Sequence, residues 1–133
     1  MNKLFIAISF VALVFTNCGE DKSAHSHGGN SHNHSQTDYS TLEPLTYTLY
    51  SESYELFVEF KPLVVGETSK FAAHFTKLGD NFSAVSEGTV IVKLIGENSS
   101  GYKAKEPSSP GIFRMALTPK KAGLHHLVFE IQT

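Results

Sequence analysis

Apolar and polar residues change rhythm twice along this chain. Leu4 to Phe15 is an almost unbroken apolar run, LFIAISFVALVF, with Lys3 just before it. From Gly19 to Leu42 apolar side chains nearly vanish. From Glu43 onward they return at alternate positions, interrupted at short intervals by Gly, Pro, Asn and Asp. Period-two alternation turns one side of an extended chain to a core and the other to water, so it predicts strands. The expected strands are 46–50, 54–60, 69–78, 89–95, 112–118 and 124–131. Tyr47 and Leu49 share a face of the first. Tyr54, Leu56, Val58 and Phe60 share a face of the second, and Phe71, Ala73 and Phe75 of the third. The 89–95 segment, TVIVKLI, is β-branched and apolar, which suits a central strand. Leu127, Phe129 and Ile131 face inward on the last. Residues 96–111, rich in Gly, Asn, Ser and Pro, read as a loop.

No long segment has helical spacing. Six or seven short strands about ten residues apart predict an all-β fold, an immunoglobulin-like β-sandwich of about seven strands over 43–133. The chain has no Trp and one Cys, so the disulfide and buried tryptophan of antibody domains are excluded. The core must rest on Phe, Leu, Ile and Val, each Å² of buried apolar surface contributing roughly 25 cal/mol.

The first rhythm is that of a leader. Its apolar run is shorter than the roughly 20 residues a membrane span needs, and it fits the h-region of a signal peptide. It ends at Thr16-Asn17-Cys18-Gly19. The segment resembles a bacterial lipoprotein signal over 1–17, which implies that Cys18 becomes the lipidated first residue of the mature protein. The other readings are a plain secretory signal with an unrelated cysteine and an uncleaved anchor. A lipidated Cys18 would be the membrane attachment, since a diacylglycerol plus an amide-linked chain exceeds the two signals that stable anchoring requires. It would leave no thiol for a disulfide, for metal or for catalysis.

Residues 18–42 are too polar to bury enough surface to offset chain entropy, and they read as a flexible tether. Within it lies His25-Ser-His27-Gly-Gly-Asn-Ser-His32-Asn-His34. These are two His-x-His pairs joined by a Gly-Gly spacer loose enough to gather four imidazoles on one ion. Imidazole suits zinc, copper(II) or nickel. Nothing pre-organises these ligands, so the expected binding is weak and exchangeable. The alternative is a solvated tether in which histidine is merely tolerated.

Elsewhere the chemistry thins. His74 sits on a strand face opposite Phe71, Ala73 and Phe75 and reads as a surface or packing residue, with a partner contact as the alternative. His125 and His126 are adjacent on a strand, so they point to opposite faces and do not easily share an ion. Met115 is the only methionine after the initiator, too few thioethers for a copper(I) site. No Gly-x-Ser-x-Gly turn or Gly-rich phosphate loop is present, so no enzymatic activity is expected. The loop 106–111, EPSSPG, reads as a plain connection or a protein contact. A formal charge of −2 gives no reason to expect a nucleic-acid partner.

Several strings together suggest a family. EPLTYTLY (43–50), ELFVEFKPLVVG (55–66), SKFAAHFT (69–76), PSSPGIFR (107–114) and the stretch 123–131 resemble the immunoglobulin-like N-terminal domain of periplasmic adaptor subunits of heavy-metal RND efflux pumps from Bacteroidota. The resemblance spans nearly all of 18–133. It implies a lipoprotein held in the cell envelope, facing the periplasm from the inner or outer membrane, with a pump or adaptor component as partner. Such adaptors continue into a barrel-sandwich domain, a helical hairpin and a further β-barrel, and no matching segment follows here. The expectation is a stand-alone or truncated form of the leading domain.

Overall fold

The computed structural model describes residues 10–13 and 38–133. Among them there is no α-helix. They form strands β1 (Phe10–Leu13), β2 (Leu45–Tyr50), β3 (Tyr54–Phe60), β4 (Ser69–Lys77), β5 (Ser83–Ala84), β6 (Thr89–Ile95), β7 (Ser100–Ala104), β8 (Ile112–Leu117) and β9 (Leu124–Gln132), with a 3₁₀ turn at Tyr39–Thr41. The described part of the chain is therefore all-β, as its alternation requires, and every strand pairing in it is antiparallel.

The strands form two sheets. One runs β2-β3-β4, with β8 and the short β5 both on the far side of β4. The other runs β1-β9-β6-β7. The described residues thus form nine strands, against an expected count of about seven.

The inward positions are those of the period-two pattern. Leu56, Val58, Phe60, Phe71, Ala73 and Phe75 of the first sheet join Val90, Val92, Leu94, Leu127, Phe129 and Ile131 of the second in one buried cluster. Phe71 links the layers. Its ring stacks on Phe60 with centroids 4.6 Å apart and meets Phe129 of the opposite sheet edge-on at 6.1 Å. Such geometries add about 0.5–1.5 kcal/mol to area burial. β6 lies between β9 and β7, the central place its β-branched sequence suggests.

Two elements differ from the sequence pattern. Residues 100–104, expected to be loop, form β7, an edge strand paired with β6 from Val90↔Ala104 to Leu94↔Ser100. Only Ala104 of this strand is buried, so no alternation was required of SGYKA. Residues 10–13, inside the apolar leader, form β1 and pair with β9 from Phe10↔Leu127 to Leu13↔Leu124.

The loop 106–111 is tied down at its end. Gly111 N–H donates to the Val85 carbonyl at 2.8 Å, and Phe75 N–H donates to the Gly111 carbonyl at 2.8 Å. Gly111 has φ +80°, and a Cβ there would stand 3.2 Å from both Ala84 Cβ and the Phe75 carbonyl oxygen. The positive φ favours glycine, and a side chain would also press its neighbours by a few tenths of an ångström.

Candidate functional site

Cys18 and the four tether histidines, His25, His27, His32 and His34, lie outside the described residues. The structure does describe where their segment joins the domain. Asp38 caps the 3₁₀ turn, its Oδ1 accepting from Ser40 N–H at 2.9 Å. Lys61, one residue past β3, holds that turn. Its Nζ donates to the Ser40 carbonyl at 2.6 Å and the Tyr39 carbonyl at 3.2 Å, and stands 5.4 Å over the Tyr39 ring. The hydrogen bond from the Ser40 backbone, then that from its side chain, hold the Asp38 carboxyl below its ordinary value, with Lys61 adding attraction. Residues 38–41 thus lie on the domain surface, although composition alone assigns them to the tether.

The domain histidines occupy three different settings. His74 is exposed. Cross-strand pairing aligns Thr48, Phe57, His74 and Ile112 in one row over β2, β3, β4 and β8. Within it the Phe57 and His74 rings meet edge-on at 5.8 Å. The next row sets Glu59, Ala72 and Arg114 side by side. This outward face therefore offers an aromatic and aliphatic strip beside charge of both signs.

His125 is buried and His126 exposed, the opposite-face arrangement their adjacency requires. His125 Nδ1–H donates to the Gly123 carbonyl at 3.1 Å. Its ring lies directly on Gly96, where an added Cβ would stand 2.2 Å from His125 Cδ2. The β4 strand bearing His74 pairs with β3, β5 and β8, whereas β9 pairs with β1 and β6. Pairing therefore does not bring His74 beside His125 or His126. Among the described residues no three His, Cys, Asp or Glu side chains group to hold a metal ion.

A shallow groove of about 230 Å³ opens between Lys70, Phe71, Tyr102, Arg114, Met115 and Ala116. Met115, which is among them, is also a core residue, 4% exposed. The composition gave no signal for the Phe57–His74–Ile112 row or for the Lys61 clamp, because both depend on strand register. Comparison with protein-family models, with curated proteins and with solved structures finds no match for this chain.

Proposed function

We propose that this chain is a lipid-anchored binding module on the periplasmic side of the cell envelope, serving a heavy-metal RND efflux system. Cys18 carries the lipid. His25, His27, His32 and His34 capture zinc, copper(II) or nickel, weakly and exchangeably, and raise its local concentration near the pump. The domain is read as an immunoglobulin-like β-sandwich that positions the tether. Two crossed pairings, β4 with β8 and β6 with β9, support that reading, because they join strands distant in sequence as Greek-key sandwiches do.

The observation that carries the proposal is the placing of two His-x-His pairs between Cys18 and a turn clamped on the domain by Lys61. A ligand segment held at both ends stays near the membrane surface yet is free to wrap an ion. The test is calorimetric titration of the processed protein with zinc and with copper(II), beside a variant carrying His→Ala at all four positions. The expected result is saturable binding in the first and at least a tenfold loss in the second. Equal binding by both would overturn the tether's role.

A second reading follows from the strip of exposed Phe57 and His74 beside half-buried Ile112: a protein-interaction domain whose tether is only a spacer. Association with a purified pump or adaptor component that survives the four His→Ala changes but is lost on Phe57→Ser would favour it. A truncated adaptor without independent function would show neither metal capture nor association.

A further inference from the structure

Residues Phe10–Leu13 form the outermost strand of their sheet, antiparallel to Leu124–Leu127 of β9. In the lipoprotein reading these same residues leave with the leader. Their departure exposes the β9 edge. In an antiparallel ladder alternate residues direct both N–H and C=O to one side, and an unpaired row of such groups is a template for another strand. Leu124-His-His-Leu127 carries none of the devices that blunt an edge: no Lys, no Pro and no carboxylate. Leu124 is 60% exposed, and Ile95, opposite His126 on the neighbouring strand, is 43% exposed. The edge is thus flanked by apolar surface.

We propose that the processed protein uses this β9 edge as a strand-acceptor site, taking an extended, uncharged apolar segment of a partner protein in the place of residues 10–13. The inference rests on the lipoprotein reading, which removes that strand. The seated segment defines the occupant's chemistry. The occupant runs antiparallel to β9 and carries no charge over four residues. The register sets Phe10 opposite Leu127 and Ala12 opposite His125, both buried positions on β9. Alternate positions of the occupant thus pair with inward-facing positions of β9. One of these, His125, already packs its ring on Gly96. Main-chain hydrogen bonds supply affinity and the alternate side chains supply selectivity, as in other β-augmentation sites.

The test uses a labelled peptide with the sequence of residues 9–14 and a lysine tail for solubility. It is added to the chain from Cys18 to Thr133 and, in parallel, to the full chain. The expected results are saturable binding to the shorter chain, at least tenfold weaker binding to the full chain, and slowed deuterium uptake at 124–127. A peptide with Pro in place of both Val11 and Ala12 keeps its apolar character but loses a main-chain donor whichever alternate set faces β9, and should bind at least tenfold more weakly. A shorter chain that folds only when the peptide is added also supports the proposal. Equal binding of the proline peptide, protection at β2 instead of β9, or a chain that neither folds nor binds with peptide present overturns it. The mass of the protein extracted from cell membranes tests leader removal and lipidation separately. An unprocessed mass overturns the lipoprotein reading, and with it the exposure of this edge in cells, whatever the peptide does in solution.

Discussion

Gly96 and His125 show how one small residue can decide a larger one's place. His125 is 2% exposed near the start of β9, an unusual position for an imidazole. It is tolerated because Nδ1–H reaches the Gly123 carbonyl and because Gly96 offers a bare backbone to the ring. A methyl group at position 96 would overlap the ring, with 2.2 Å to Cδ2. Gly96→Ala should therefore destabilise the domain by about 1–3 kcal/mol, the usual cost of overpacking. In a His125→Ala background the same change should cost well under half as much, because the obstacle is gone. Urea unfolding of the four proteins of this cycle checks it. Equal costs in both backgrounds would mean that the ring does not set the limit. The adjacency of His125 and His126 revealed their opposite faces. That the inward one is sheltered by Gly96 depends on the register of β6 and β9, which no local pattern contains.

At the level of elements, the strands that bury a full face were legible and those at the margins were not. β3 and β9 alternate buried and less buried residues throughout, so hydrophobic period and secondary structure coincide. β7 is an edge strand with one buried residue, and its Gly101 and Lys103 mimic a loop. The Tyr39–Thr41 turn was hidden for a related reason. It buries none of its own residues and depends instead on Asp38 and on Lys61, some twenty positions away. Its pH response follows from the Asp38 carboxyl. That group's value is lowered in the folded protein, chiefly by the Ser40 backbone hydrogen bond. A depressed acid contributes its stabilisation above its unfolded value and loses it as pH falls through the folded one. The turn should thus be intact from neutrality down to about pH 4 and loosen only below that. Amide chemical shifts of Ser40 and Thr41 followed through an acid titration would report it, and Asp38→Asn should abolish the transition. A transition between pH 5 and 7 would contradict the assignment to Asp38.

For the whole molecule, the proposal separates metal capture from folding, and this separation has a thermodynamic consequence. A ligand stabilises a fold only to the extent that it binds the folded chain better than the unfolded one. The four tether histidines precede residue 38, where the described domain begins, and no group of three candidate ligands lies among the described residues. The tether should therefore bind an ion as well when the domain is unfolded as when it is folded. Saturating zinc near neutral pH should leave the domain's thermal midpoint within about 1 °C of its metal-free value, since a shift of about 4–8 °C corresponds to only 1 kcal/mol in a domain of this size. Acidification should then empty the tether while the Asp38-capped turn holds. Imidazole must be neutral to bind and titrates near pH 6.5, so apparent affinity should fall steeply between pH 7 and pH 5.5, a range in which Asp38 stays ionised and its turn holds. Calorimetric scans with and without zinc at both pH values test this pairing. A midpoint raised by several degrees at neutral pH would show that a domain side chain such as His74 joins the ion, and the tether could then no longer be treated as an independent ligand.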